Sequence, residues 1–500
     1  MTLTNPSLTA PLFMTDVYKL GHRDQYPENT TLVYSNFTNR GSRVAGVDKV
    51  VHFGLQAFLQ SYCIEAFAPF FAADVDEVAA EYHAVVESVL GPDAADSIGV
   101  EHIRELHALG YLPLRFSAVK EGTEVPVRVP SLVVENTHPD FFWLTNFIET
   151  VLSASLWQPS TSATTALHFR RILDTAAKAT GSSARDVDFQ LHDFSYRGMP
   201  GTEAAAASGA AHLLSFLGSD SLPSLDWIRR YYPGDAGMKM GSVPATEHSV
   251  MCAGGQVDEM ETFQRLLKLY PSGIVSVVSD TWDLWNVVTV ILPKLHAEIL
   301  GRDGKLVIRP DSGDPVDILT GTRSHEGSYT SIGFTPEEKG VVELLWDLFG
   351  GTVNEAGYKV LDPHIGAIYG DSITPERAVQ IAQRLEAKGF ASTNVVLGVG
   401  SFSYQYVTRD TFMSAMKATY VEVDGVGRDI QKNPVTDSGS KKSATGRLAV
   451  LRNADGELYL VQKATPEQEA ASELRPVWED GRFIRTQSFA DVRATLGVLA

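Results

Sequence analysis

The chain has 500 residues, 44% of them hydrophobic and 21% charged, a globular balance with enough length for two or three domains and a large buried core. Its 61 acidic residues outnumber 42 basic ones, and the net charge of −19 argues against nonspecific binding to nucleic acid or to an anionic membrane. Only Cys63 and Cys252 are present and neither lies in a CxxC, which excludes a disulfide framework or thiolate zinc site and fits a reducing cytoplasm.

The N-terminal MTLTNPSLTAPLFMTDVYK has no basic segment ahead of an apolar run. No uncharged apolar stretch reaches the roughly 18 residues that span a bilayer, so neither secretion nor membrane insertion is expected. Within that stretch TDVYKLGH (15–22) sets Asp16 and Tyr18 close together, and locally it reads as a capped helix start. Residues 30–37 and 112–135 are β-rich.

From residue 187 short apolar runs alternate with helical ones: VDFQLHD (187–193), GIVSVVSD (273–280), KLVIRPDSGD (305–314), HIGAIYGD (364–371) and TNVVLGVGS (393–401). Continuous apolar character suits parallel strands buried on both faces. The intervening helices fall at 202–217, 258–270, 281–300, 337–349 and 374–389. The last opens on Thr374 and Pro375 as cap and first residue and closes at Gly389. Strand followed by helix, with Asp193, Asp280, Arg309, Asp311, Asp371 and Gly400 after the strands, predicts an irregular (β/α) barrel whose rim gathers these residues; a doubly wound sheet would gather fewer. GRLAVLRNADGELYLVQK (446–463) has the pattern of a β-hairpin turning at Asn453–Gly456. The expected organisation is an α/β protein: a barrel-like catalytic domain at 161–410, and a second, β-rich domain built from both ends of the chain, 1–160 and 411–500. SGSKKSATG (438–446) and GTRSHEGSYTSIG (321–333) read as mobile loops.

Several motifs carry chemistry. HDFSYRG (192–198) combines aromatic faces with a guanidinium, which suits a flat aromatic ligand beside a phosphate; alternatively Phe194 and Tyr196 are core and Arg197 pairs with Asp193. IRPDSGDP (308–315) offers Arg309 and two carboxylates able to grip ribose hydroxyls or, through a cation, a pyrophosphate, or else is a turn with a surface ion pair. GVGS (398–401) could form an anion-binding concavity of backbone amides, though it lacks the Walker lysine and the full dinucleotide fingerprint; Gly370–Asp371 holds the equivalent place after its own strand. SVPATEHS (242–249) sets Glu247 beside His248, a residue suited to proton or phosphoryl transfer but in isolation more often structural. VVSDTWD (277–283) supplies Asp280, an orienter of an imidazole or a helix cap.

Taken in order, TDVYKLGH with QYPENT, HDFSYRG, SVPATEHS, VVSDTWD, IRPDSGDP and KNPV (432–435) resemble the type II phosphoribosyltransferase family, specifically its nicotinamide phosphoribosyltransferases, over about residues 12–490. The resemblance implies that Phe194 and the Tyr18 of a partner subunit clamp a pyridine ring, so that the active site lies at a homodimer interface. It further implies that Asp220 bonds the carboxamide, with Arg309 near the amide and Asp311 near the ribose. Asp16 of the partner, Arg197, Gly370, Asp371, Gly400 and Arg409 match sugar or phosphate contacts. Arg40, Lys417 and Lys432 match basic residues around pyrophosphate and nucleotide phosphates. His248 matches a histidine phosphorylated by ATP, with Glu247 and Asp280 orienting it. The substrates so implied are nicotinamide and phosphoribosyl pyrophosphate, with ATP as co-substrate and Mg²⁺ bound mainly through substrate phosphates. The setting so implied is NAD salvage in the cytoplasm. Ser401 and Ser195 depart from the family's glycines, and the connection from Arg309 to Gly370 is longer than usual. The competing readings are a nicotinate phosphoribosyltransferase, for which no acidic residue at position 220 would be expected, and a non-enzymatic nucleotide-binding protein that keeps the fold.

Overall fold

The computed structural model describes residues 7–234, 237, 240–323, 333–432 and 443–499. Most of the two loops expected to be mobile, with Lys441 and Lys442, and residues 433–435 of KNPV lie outside the described residues. The chain divides into two compact units, 1–164 with 228–235 and 408–497, and 165–227 with 236–407 and 498–500.

The first unit is built on a seven-stranded antiparallel sheet. Its strands run, in spatial order, Val426–Asp429, Ser414–Val423, Thr30–Asn39, Pro130–Asn136, Leu114–Ala118, Arg475–Glu479 and Arg482–Phe483, so both ends of the chain contribute. Strand alternation sends Leu132 and Val134 to one face, packed with Phe37, Phe58, Phe116 and Trp478. Val133 points to the other, with Tyr34, Leu448 and Val450. The latter two belong to the expected hairpin, Leu448–Arg452 with Leu458–Gln462. Asn453 closes its turn, its side-chain oxygen accepting from the Asp455 and Glu457 N–H at 3.0 and 2.8 Å, and Gly456 takes φ +81°.

The second unit carries the expected strands. Its six-stranded parallel sheet runs Gly218–Ser219, Leu191–Asp193, Val395–Val399, Ile365–Tyr369, Asp303–Arg309 and Ser272–Val278. Its two edges are joined by an irregular segment. Gly241 pairs with Gly218 at one edge, and Ala245 with Ser276 at the other. On the second edge Ser276 N–H donates to Pro244 O at 2.9 Å, Thr246 N–H to Ser276 O at 3.0 Å and Val278 N–H to Thr246 Oγ1 at 2.9 Å. Leu191, Val277, Ile308, Ala367 and Leu397 from five strands share one core, the reason those runs are apolar throughout.

Helices follow the strands, with local departures. Pro375–Ala387 is capped by Thr374 Oγ1, which accepts from Arg377 N–H at 3.2 Å. The single helix expected over 281–300 is Leu284–Asn286, a wider π-helical turn Val287–Ile291, and Leu292–Leu300. Pro293, which has no N–H and crowds the carbonyl four residues back, accounts for the loosened turn. The helix expected over 337–349 breaks at Gly340, φ +80°, where a Cβ would lie 2.2 Å from Gly321 N. Arg170, 1% exposed, pins the second unit's first helical segment. Its guanidinium donates to Asp174 and Asp188 at 2.9 and 2.8 Å and to the Ser215 and Ala184 carbonyls.

Candidate active site

In the second unit the chemistry sits where the parallel strands end. His192 and Phe194, two residues apart at the end of one strand, share a face, and their rings lie 4.5 Å apart. Asp193 between them points the other way and is fully buried, accepting from Ser195 N–H at 2.9 Å and Ser219 Oγ at 3.3 Å rather than from Arg197. Phe194 is fixed through its own N–H, which donates to Val399 O at 2.8 Å.

Asp220 follows the short strand Gly218–Ser219, and His192 Nε2 reaches its Oδ1 at 2.9 Å. Ser242 Oγ, delivered by the segment that joins the sheet edges, donates to the same oxygen. Burial pushes the Asp220 carboxyl up, but the His192 and Ser242 hydrogen bonds and the Arg309 charge outweigh it and hold the group below the ordinary aspartate value. Beneath, His212 is fully buried and its pKa falls to about 4, chiefly through desolvation. As a neutral ring it donates from Nε2 to Gly218 O at 2.9 Å and accepts the Tyr404 hydroxyl at Nδ1, 2.6 Å away. A Cβ at Gly218 would lie 2.8 Å from His192 Nδ1, so glycine there makes room for the imidazole that holds Asp220.

Residues 247 and 248 leave the joining segment at the start of the helix His248–Gly254. The His248 ring is half exposed; its Nδ1 lies 3.1 Å from Thr281 Oγ1 and its Nε2 3.7 Å from Asp311 Oδ2. The Glu247 carboxylate bonds Ser249 Oγ instead. Asp280 holds no helix end, since Asp283 caps the next helix; its Oδ2 accepts the Asp311 N–H at 2.9 Å. Arg309 approaches Asp311 Oδ2 at 3.7 Å. Burial, with Asp280 and Asp371 adding like charge, raises the Asp311 pKa against the pull of Arg309 and His248. Gly370 is forced by this crowding: a Cβ there would lie 1.8 Å from Asp311 Oδ1. A Cβ at Gly400 would come within 2.6 Å of Asp371 Oδ1, and one at Gly198 within 2.1 Å of Ser401 Oγ.

Thus Phe194, Asp220, Asp280, Arg309, Asp311, Gly370, Asp371 and Gly400 lie at or just after strand ends of one unit, and His248 opens the helix His248–Gly254 of the same unit. Arg197 is exposed, in the short helical turn Tyr196–Gly198. Three partners escaped sequence reading: His192, although it stands in the HDF motif, Ser242 and Thr281. Among the described residues the buried oxygens Asp280 Oδ1 and Asp311 Oδ1 and the Arg309 Nε have no hydrogen-bond partner, an arrangement prepared for something external. Among the described residues no group of three or more His, Cys, Asp or Glu could hold a metal. Two hard carboxylate oxygens nevertheless fit Mg²⁺, which is commonly held by one or two carboxylates together with substrate phosphates.

The first unit holds the other expected residues. Arg40 and Lys417 line one cavity of about 300 Å³, joined by Arg128. Lys417 Nζ is 3.3 Å from Glu149, and the Lys432 N–H donates to Ser443 Oγ at 3.0 Å. Arg409 is exposed and pairs with its neighbour Asp410. Asp16 does not cap the short helix it precedes; its carboxylate accepts Thr150 Oγ1 at 2.6 Å. Tyr18 is 62% exposed, its ring edge-on to His22.

Among the described residues no helix is long and apolar enough to cross a membrane. The model of the nicotinate phosphoribosyltransferase (NAPRTase) family matches residues 189–482, and that of the nicotinamide phosphoribosyltransferase N-terminal domain matches residues 10–112. A nicotinamide phosphoribosyltransferase of Acinetobacter baylyi is 50% identical over 499 residues, 97% of each chain. One of Xanthomonas campestris is 35% identical over 497 residues, again 97% of each. Among solved structures, nicotinate-nucleotide pyrophosphorylase from Pyrococcus furiosus gives a TM-score of 0.56 at 15% identity, covering 99% of this chain and 96% of that one. Human nicotinic acid phosphoribosyltransferase gives 0.52 at 17% identity, covering 96% and 92%. At such identities these two likenesses concern the fold. The chain belongs to the nicotinate phosphoribosyltransferase family of pentosyltransferases, together with the nicotinamide phosphoribosyltransferases that it matches over 97% of its length.

Proposed function

We propose that this chain transfers the phosphoribosyl group of phosphoribosyl pyrophosphate to the ring nitrogen of nicotinamide, releasing pyrophosphate and forming nicotinamide mononucleotide for NAD salvage. The observation that carries this reading is the Asp220 carboxylate, held ionised by His192 and Ser242 at the end of the strand pair that also presents Phe194. An ionised acceptor suits the NH₂ of a carboxamide and repels the carboxylate of nicotinate.

The chemistry asks for positioning more than for proton transfer. As the bond from C1 to pyrophosphate breaks, positive charge develops on the ribosyl ring and negative charge on the leaving group, and the neutral pyridine nitrogen attacks C1 without losing a proton. Phe194, with Tyr18 from a second copy of the chain, would clamp the pyridine. Asp220 and Arg309 would orient its amide. Asp311, beside the ribose, would face the developing positive charge, and Arg197, Arg409, Gly370, Asp371, Gly400 and the partner's Asp16 would bind sugar and phosphate. Asp280 and Asp311 would hold Mg²⁺, which when bound neutralises charge on the pyrophosphate.

His248 would be the site at which ATP acts. With its Nδ1–H donating to Thr281 Oγ1, Nε2 keeps the lone pair that attacks the γ-phosphorus; an N–P bond forms, the P–O bond to ADP breaks, and ADP departs. Arg40, Lys417 and Lys432 would bind the phosphates of this co-substrate and of pyrophosphate. Glu247, turned to Ser249, would act on His248 only after rotating.

The test is kcat/KM for nicotinamide against nicotinate with Mg²⁺ and phosphoribosyl pyrophosphate, with and without ATP. A strong nicotinamide preference enhanced by ATP is expected. Equal or better use of nicotinate would indicate nicotinate phosphoribosyltransferase, and product from neither base would indicate a binding protein.

A further inference from the structure

Tyr18 is exposed, yet the backbone that carries it is fixed on both sides. Asp16 accepts Thr150 Oγ1 at 2.6 Å. The Lys19 amine, 3% exposed, donates to Asn146 O at 2.8 Å and to Glu149 Oε2 at 2.6 Å. The two anchors, Glu149 and Thr150, are consecutive residues in the first turn of the helix Glu149–Ala179, where a carboxylate also meets the positive end of the helix dipole. A buried ammonium is costly unless it is paired, and among the described residues Glu149 is the carboxylate that pairs it.

The same carboxylate reaches a second cation. Its Oε1 lies 3.3 Å from Nζ of Lys417, on the strand Ser414–Val423. One side chain therefore touches the segment that presents Tyr18 through one oxygen and the phosphate-side lysine through the other. The two contacts compete for a single negative charge. A phosphate group that takes Lys417 leaves Glu149 wholly to Lys19.

We propose that Glu149 is a positioning residue that couples the two substrates: it holds Lys19, and with it the Tyr18 that clamps the base, and it restrains Lys417 until phosphate displaces it. The roles of Tyr18 and Lys417 rest on the function proposed above; Glu149 itself would touch neither substrate. Its effects on them have opposite signs. Negative charge beside Lys417 weakens that cation's attraction for a polyanion, whereas the grip on Lys19 favours the base by fixing the clamp in advance. Loss of a residue with only a structural role would weaken both.

The test measures Kd for inorganic pyrophosphate and for nicotinamide by calorimetry on the full chain, so that binding is read without activity. Glu149→Gln keeps the shape and removes the charge. Lys19→Met combined with Glu149→Gln also removes the buried cation, which spares the fold an unpaired charge. In both variants pyrophosphate is expected to bind about threefold more tightly, the scale of one partly exposed ion pair released, and nicotinamide about 10-fold more weakly. A pyrophosphate Kd unchanged or raised in both variants would overturn the proposal, as would nicotinamide binding within about twofold of the parent or a parent chain that fails to bind either ligand. A parent that binds both in this Glu149-dependent way yet forms no mononucleotide upholds the coupling and overturns only the activity.

Discussion

His192 Nε2 lies 2.9 Å from Asp220 Oδ1, and this contact, with Ser242 on the same carboxylate, keeps Asp220 charged. Because the folded-state pKa is depressed, its contribution to stability is present above the unfolded value of about 3.9 and is lost as pH falls through the lower folded value. Carboxyl ¹³C NMR should show Asp220 titrating below about 3.9 in the parent and rising in His192→Ala. A parent midpoint at or above that value would remove the electrostatic basis for amide selection.

Thr281 is the residue that fixes the His248 ring through Nδ1. Phosphorylation by γ-labelled ATP should produce an acid-labile adduct in the parent, none in His248→Ala, and labelling slowed about 10-fold in Thr281→Val, equivalent to ~1.4 kcal/mol of barrier. Undiminished labelling in His248→Ala would place the phosphoryl group elsewhere.

Gly370 and Asp311 cannot both keep their places if residue 370 has a Cβ, since the gap is 1.8 Å. Gly370→Ala should therefore cost about 1–3 kcal/mol of stability by overpacking and, by displacing Asp311, reduce kcat at least 100-fold. Denaturant unfolding and steady-state kinetics would read the two effects. Normal kcat would mean that the position of Asp311 is immaterial.

Asp311 has a raised pKa, from burial first and then from Asp280 and Asp371. The folded state therefore holds the proton more tightly than the unfolded one. Stability falls as pH rises from about 3.9 through the folded value, and the deficit persists at neutral pH. Asp311→Asn is expected to raise Tm by about 1–2 °C at pH 7, to change it less at pH 4, and to lose most activity. A lower Tm at pH 7 would show that the pairings with Arg309 and His248 outweigh the repulsion.

The legible parts of this protein were those with long-range burial or strong punctuation. Parallel strands such as Ile365–Tyr369 read as unbroken apolar runs because both faces are covered, and the helix after Thr374–Pro375 carries its own start signal. Gly218–Ser219 is too short to leave a pattern, and SVPATEHS (242–249) marked His248 without showing that this irregular segment joins the two sheet edges or that Ser242 meets Asp220. Glu247 stands next to His248 in sequence, but adjacent residues at a helix start diverge, and the imidazole meets Thr281 and Asp311 instead.

The most direct measurement is the ratio of kcat/KM for nicotinamide to that for nicotinate in the parent and in Asp220→Ser. The parent should strongly prefer nicotinamide, and the variant should shift the ratio at least 10-fold toward nicotinate, about 1.4 kcal/mol of discrimination. A ratio unchanged by the substitution would contradict the assignment of Asp220 as the group that chooses the base.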